Sequence, residues 1–343
     1  MRALVLHAPQ DLRIEERAAR TPGPGEVAVR VAVGGVCGSD LHYFNHGGFG
    51  AVRIREPMIL GHEVSGHVTA LGDGVDDLDV GDLVGVSPSR PCGVCQYCAR
   101  GDHNHCLDMR FYGSAMPFPH IQGAFRETLV ATRAQCVKAD GLSPGAVAMA
   151  EPLAVVLHAA GQAGDLLGQR VLVTGSGPIG ALAVMVARSA GAAHIVATDL
   201  SDAALSFADR AGADRTINVG RDGDALTAYG ANKGTFDVHF ECSGAEAALH
   251  AGLGVVRPRG RIVQLGLGGD MAVPMLQLTA KEIALSGSFR FHAEYATAIA
   301  LMQAGRIDVT PLITHTEPLE NAVAAFEVAN DRSQAMKAQI AFA

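Results

Sequence analysis

Nowhere in the 343 residues is there an unbroken apolar run of about 18 or more, the length a helix needs to cross a bilayer. Charge is scarce at 18% of residues against 48% hydrophobic, which excludes a disordered chain, since such chains are charge-rich and aliphatic-poor. Positive charge is the scarcer sign. Lys and Arg total 27 and Asp and Glu 35, so the formal net charge is -8, which repels phosphate backbones and sets nucleic acid aside as a partner. The 41 glycines follow no three-residue period and so do not build collagen. The opening stretch MRALVLHAPQDLRIEER lacks the long apolar segment and small-residue cleavage site of a secretory signal. The expected location is therefore the cytoplasm, with no membrane partner.

What is present starts with enough chain for two domains and enough apolar material for packed cores. Seven cysteines is an odd number, and four of them crowd between Cys92 and Cys106. In a reducing compartment such a cluster binds metal more often than it forms disulfides.

The first third reads as β-rich, with valine-rich runs at 27–36 and 67–72 broken by glycine and proline. Residues 86–126 are turn-rich. From about residue 151 helices and strands alternate. Residues 170–201 read as strand, glycine turn, alanine-rich helix and second strand, and further strands are expected at 236–242, 260–266 and 283–289. That alternation predicts an α/β fold with a doubly wound parallel sheet. The tail from Phe291 reads as helical and then strand-like, and its periodicity does not say which domain it completes.

Gly175-Ser-Gly177-Pro178-Ile179-Gly180 fits G-x-G-x-x-G and lies between the apolar run VLVT and a helical pattern, the context that gives this otherwise weak motif its force. The first glycine permits a tight turn, the second lets backbone approach a pyrophosphate, and the third lets helix and strand pack closely. The helix N-terminus offers free N–H groups to the phosphates. Asp199, at the end of the next strand, is placed to accept hydrogen bonds from the adenosine ribose. No base follows in Leu-Ser-Asp-Ala-Ala and Asp202 adds negative charge, so NAD is favoured over NADP. Ser243 and Leu265 stand at later strand ends, where loops face the cofactor in such sheets.

Cys92, Cys95, Cys98 and Cys106 can surround one tetrahedral Zn²⁺ and leave no open position, which makes the site structural. His103 and His105 lie inside the last loop of this lobe and read as solvent-exposed loop histidines rather than competing ligands. Cys37, His62 and Glu151 make no local motif. They are a plausible open zinc set, but each also has an ordinary reading, as a small buried residue, a core histidine and a helix start.

Here GHEVSGHVTALGDGV resembles the zinc signature of the medium-chain alcohol dehydrogenase superfamily. CGSDLH, the four-cysteine lobe and the nucleotide turn follow in that family's order. Glu151-Pro-Leu is similar to the polyol dehydrogenase branch, and CGSDLHYFNHGGFG, SRPCGVCQYC, DMRFYGSAM and GSFRF look most like its sugar-acid members. The resemblance implies a doubly wound Rossmann sheet inserted into a β-rich GroES-like catalytic domain. Residues 1–153 plus 292–343 would form the catalytic domain, and 154–291 the NAD-binding domain. It implies Cys37, His62 and Glu151 as ligands of a catalytic zinc, with Glu63 close enough to ligate directly or through water.

By the same resemblance, the reaction is oxidation of a secondary hydroxyl of a sugar acid or polyol, by hydride transfer from a zinc-bound alkoxide to NAD. Ser39 and His42 would relay the proton, and an imidazole titrating at about 6.5 suits that work. Arg290 would lie near the active site, and either it or Arg110 would meet a substrate carboxylate. Family precedent is a homodimer or homotetramer, with the strand IALSGSF as a candidate contact. Two rival readings stand beside this one: a sorbitol- or xylitol-type dehydrogenase, and a non-catalytic NAD- or zinc-binding protein.

Overall fold

The computed structural model of the protein describes residues 1–342. The chain divides into two compact units: Met1–Ala154 with Phe291–Asp331 and the stretch from Lys337 onward, and Val155–Arg290 with Arg332–Met336.

The first unit is built on a seven-stranded sheet. Its order is Cys136–Lys138, Leu83–Val86, Glu63–Leu71, Glu26–Gly35, Lys337–Ala341 and Ile313–Pro318, with Thr128–Thr132 also paired to Glu26–Gly35. The pairs are antiparallel except the last, in which Ile313–Pro318 and Lys337–Ala341 run parallel. The central strand EVAVRVAVGG sends Val27, Val29 and Val31 into the core, the alternation expected of a sheet with one buried face. Phe125, Phe326, Leu129 and Ile340 fill that core. The tail therefore completes this sheet, a choice made by strand pairing rather than by any pattern within the tail itself.

Cys37 and His62, the expected metal ligands, sit where this sheet ends. Cys37 lies one residue, Val36, beyond the central strand and is the N-cap of the helix Gly38–His46. His62 precedes the strand Glu63–Leu71. Gly61 holds φ +88°, and a Cβ there would collide with the Phe125 ring, so this sharp entry to His62 needs glycine.

The second unit carries a six-stranded parallel sheet. Across it run Arg215–Asn218, His194–Asp199, Arg170–Thr174, Phe236–Glu241, Val256–Gln264 and Ala284–Gly287. Numbered along the chain, the order is third, second, first, fourth, fifth, sixth, the arrangement of doubly wound dinucleotide folds. The order reverses between Arg170–Thr174 and Phe236–Glu241, and a crevice opens at such a reversal. Leu172, Val196, Phe236, Leu253 and Ile262 are among the core residues. The helix Pro178–Ser189 begins with proline after an N-cap Gly177 and packs through small residues, Gly180, Ala181, Ala183 and Ala187. A Cβ on Gly180 would collide with the Gly175 carbonyl, which fixes the close approach of helix and turn.

Candidate metal centres and nucleotide turn

Cys37, His62 and Glu63 bring one donor atom each to within 4.8 Å of the others, and His62 and Glu63 are buried. Two groups hold the loops that carry them. Asp40, fully buried in the first turn of the helix Gly38–His46, accepts from Cys37 N–H (3.1 Å) and from Gly61 N–H (3.2 Å). Its Oδ1 also lies 3.8 Å from His62 Nδ1, so one carboxylate orients both ligand loops and faces the imidazole. Lys337 donates to the Val36 carbonyl (3.1 Å) and to Glu63 Oε1 (2.7 Å), joining the chain just before Cys37 to the residue just after His62.

Burial dominates the electrostatics. Desolvation, followed by the Glu63 charge, pushes the Cys37 thiol up to about 12. Glu151, buried at the start of the helix Ala150–Ala163, is raised to about 8, chiefly by burial, with His62 opposing and Glu63 reinforcing the shift. Glu151 is thus electrostatically coupled to the cluster but stands outside its tight triangle. Burial works against the Lys337 charge, yet Glu63 and then Cys37 hold its pKa above the ordinary lysine value. A thiol and carboxyls kept from ionising by desolvation are the groups that a bound divalent cation would ionise. The donor set fits such a cation.

Ser39 hydrogen-bonds toward the Cys37 sulfur and favours its thiolate. His42, one turn after Cys37 on the same helix, is half-buried, its ring 5.8 Å from Phe49. Arg110 is exposed in the short strand Arg110–Phe111, whose Phe111 packs 5.7 Å from the His62 ring.

The four cysteines of the lobe also converge. Cys95 Sγ lies 3.6 Å from Cys98 Sγ and 4.0 Å from Cys106 Sγ, and all four sulfurs fall within 4.8 Å of one another. A tetrahedron of sulfurs at Zn–S distances of about 2.3 Å has edges of about 3.8 Å. Backbone N–H groups of Cys98 and Leu107 hold Cys95 down at about 6, while burial lifts Cys98 to about 12. Neither histidine of the lobe joins the cluster. His103 is half-buried rather than exposed, because its ring stacks on His292 with centroids 4.4 Å apart. His105 is exposed.

In the second unit, Gly175 (φ +81°) turns the chain out of the strand Arg170–Thr174. Asp199 Oδ2 accepts from Ser176 N–H within the glycine turn (2.7 Å), and Oδ1 accepts from Leu200 and Ser201 N–H (2.7 and 2.9 Å). Ser243 packs against Gly175, and Ser243 N–H donates to Glu241 (2.8 Å). Leu265 N–H donates to the Glu241 carbonyl (2.8 Å). Arg290 closes this unit in a left-handed conformation (φ +55°), its guanidinium over the Phe289 ring.

Two family models match the chain, the alcohol dehydrogenase GroES-like domain over residues 23–141 and the zinc-binding dehydrogenase over residues 178–304. Over 319 residues the chain is 44% identical to the L-idonate 5-dehydrogenase (NAD(P)(+)) of Escherichia coli K12, covering 92% of this chain and 91% of that protein. The chain belongs to the zinc-dependent medium-chain alcohol and polyol dehydrogenases. This dehydrogenase is also 37% identical to human sorbitol dehydrogenase over 330 residues, 95% of this chain and 91% of the relative. The crystal structure of the Escherichia coli L-idonate 5-dehydrogenase superposes with a TM-score of 0.95 at 41% identity, covering 99% of this chain and 98% of that one. Among the described residues no helix is long and apolar enough to cross a membrane.

Three structural partners in this dehydrogenase stand apart from the expected ligands: Asp40, inside CGSDLH, and Lys337 and Glu241, which lie in no motif. The signal for Asp40 is an acid at the third position of a helix, where it can reach back to the N-cap N–H. For Lys337 it is a lone charge opening the otherwise uncharged, buried strand KAQIA. For Glu241 it is an acid ending FDVHFE, and this fully buried carboxylate also accepts from Gly244 N–H (2.9 Å) and Gln264 Nε2 (2.5 Å).

Proposed function

We propose that this dehydrogenase oxidises a secondary hydroxyl of a sugar acid, L-idonate to 5-keto-gluconate, with NAD. The observation that carries the reading is the convergence of Cys37, His62 and Glu63 in a chain 44% identical to an L-idonate 5-dehydrogenase. Cys37, His62 and Glu151 would hold the catalytic zinc with Glu63 beside it, and Cys92, Cys95, Cys98 and Cys106 the structural one. When bound, zinc supplies a Lewis acid for the hydroxyl oxygen, and the nicotinamide supplies the hydride acceptor.

The remaining work belongs to side chains. Ser39 accepts the hydroxyl proton, and His42 on the same helix passes it to solvent. Asp40 and Lys337 keep the ligand loops in register. Gly175, Gly177, Pro178, Ile179 and Gly180 bind the pyrophosphate, Asp199 the adenosine ribose, and Ser243, Leu265 and Arg290 line the remaining cofactor contacts. Arg110 reads the substrate carboxylate through its guanidinium fork.

A second reading keeps the chemistry and changes the substrate to sorbitol or xylitol, and the 37% identity to sorbitol dehydrogenase favours it. A non-catalytic binding protein has no use for a relay beside an open metal position, which weighs against the third reading. The test is NADH formation by zinc-replete protein on L-idonate, D-gluconate, sorbitol, xylitol and L-threonine. Turnover favouring L-idonate supports the proposal, a preference for sorbitol or xylitol replaces the substrate, and silence on all five removes it.

The enzyme is proposed to be cytoplasmic, in keeping with seven free cysteines, and to assemble as a homodimer or homotetramer. The edge strand Ala284–Gly287 is bonded on one side to Val256–Gln264, and Leu285 and nearby Leu276 are exposed. An edge of this kind is a template for pairing with a second copy. Elution as a monomer in gel filtration rejects that assembly.

A further inference from the structure

Asp199 and Asn218 are Cα partners at the carboxyl ends of the neighbouring strands His194–Asp199 and Arg215–Asn218. The loops that follow, 200–202 and 219–222, form the rim beside the ribose-binding carboxylate. Val219 N–H donates to the Asp199 carbonyl (3.1 Å), and Arg221 N–H to the Asn218 carbonyl (3.1 Å). Arg221 is the single basic residue in these two loops.

That guanidinium is engaged. Its Nη1 lies 2.5 Å from Asp202 Oδ2 and its Nη2 3.0 Å from Oδ1, a two-point pairing. Asn218 Nδ2 holds the same carboxylate from the other side (2.8 Å) and also donates to the Leu200 carbonyl (3.1 Å). Asn218 and then Arg221 keep the Asp202 carboxyl below the usual carboxylate range, so it is ionised at neutral pH. The pair borders a groove of about 380 Å³ whose lining includes Asp209 and Asp222.

We propose that Arg221 is a masked ligand for a 2′-phosphate, and that Asp202, by occupying it, sets the preference for the unphosphorylated dinucleotide. Asp199 Oδ2 accepts from one backbone N–H group and Oδ1 from two, which holds this carboxylate in place beside the Asp202–Arg221 pair. A phosphate offers a guanidinium the same forked, charge-assisted contact that Asp202 offers. Side-chain exposures of 64% for Arg221 and 61% for Asp202 leave the pair open to exchange. In the native chain the exchange leaves Asp202 and the groove's other acids facing the phosphate. Replacing Asp202 with a neutral residue removes the competitor and one of those charges together.

The proposal rests on reading the glycine turn as a dinucleotide site, and the experiment separates the two. NADH and NADPH are titrated by fluorescence against the native chain, Asp202→Asn, and the double variant Asp202→Asn/Arg221→Ala. Asp202→Asn is expected to tighten NADPH by about tenfold or more, the scale of one forked ionic contact, while NADH binding changes little. The double variant is expected to lose that gain. Unchanged NADPH affinity in Asp202→Asn overturns the proposal alone, as does a gain that survives removal of Arg221. Loss of NADH binding in Asp202→Asn makes Asp202 a structural residue of the loop and overturns it too. Failure of the native chain to bind NADH overturns the proposal and the nucleotide-site reading together.

Discussion

The Lys337 ammonium lies 2.7 Å from one oxygen of Glu63 and 2.5 Å from the other, and both side chains are buried in the candidate metal centre formed with Cys37 and His62. Cys37, Glu63 and Glu151 gather acidic groups in one small volume, and Lys337 is a buried cation that interacts with all three. It balances charge while linking the two ligand loops.

Lys337→Met should therefore destabilise the protein by about 3 to 5 kcal/mol, because it strands a buried carboxylate without its partner. Urea unfolding measures the loss. Adding Glu63→Gln should recover part of it, since the stranded charge goes; a double variant as unstable as the sum of the singles denies the coupling.

Metal removal should make stability more sensitive to pH. In the metal-free fold Glu151 is raised from its ordinary value to about 8, so the folded state binds this proton more tightly than the unfolded chain does. The stability that goes with it is complete below the unfolded carboxyl value and is lost as pH rises through about 8. Chelator-treated protein is thus expected to lose thermal stability between about pH 5 and 8, with a much flatter profile when zinc is present. Parallel profiles for the two forms contradict this.

The two metal clusters should empty independently. Cys92→Ser should release the zinc of the lobe and leave the other, and Cys37→Ser should do the reverse. Plasma mass spectrometry of each purified variant is expected to show about one zinc where the native chain holds two. Cys37→Ser should abolish turnover, whereas Cys92→Ser should mainly lower thermal stability.

His42→Ala should lower kcat near neutral pH and change the shape of the pH–rate profile while zinc content stays intact. An unaltered profile removes His42 from the proton path.

Arg110→Ala should reduce kcat/KM for L-idonate by about tenfold or more relative to its effect on sorbitol, since sorbitol has no carboxylate to meet the guanidinium. Equal losses on both substrates reject Arg110 as the anchor.

What could be read from the sequence follows how local each feature is. The four-cysteine lobe places its sulfurs within fifteen residues, so spacing alone announces it. The glycine turn is equally local, and the parallel order of the second sheet follows from strands alternating with helices. The Cys37–His62–Glu63 cluster is different. Its members are joined by strand pairing between Glu26–Gly35 and Glu63–Leu71, a long-range fact that only the resemblance could supply. Lys337 is further away still. It reaches Glu63 because Lys337–Ala341 pairs with Glu26–Gly35, a pairing the tail's own periodicity does not encode. Arg221 is silent in the sequence for a similar reason, since it comes near Asp199 and Asp202 through the neighbouring strand and not along the chain.

Glu63 and its counter-ion Lys337 are separated by 274 positions. At synthesis rates of about 5 to 20 residues per second, the lysine emerges on the order of ten to sixty seconds after the glutamate. During that interval the cysteine, histidine and glutamate side chains exist on a nascent chain without the strand that neutralises and braces them. The four-cysteine lobe needs no such wait, because all its donors leave the ribosome together. The ion pair that braces the open cluster thus forms only when the strand Lys337–Ala341 docks, whereas the closed cluster has its four sulfurs within one short loop.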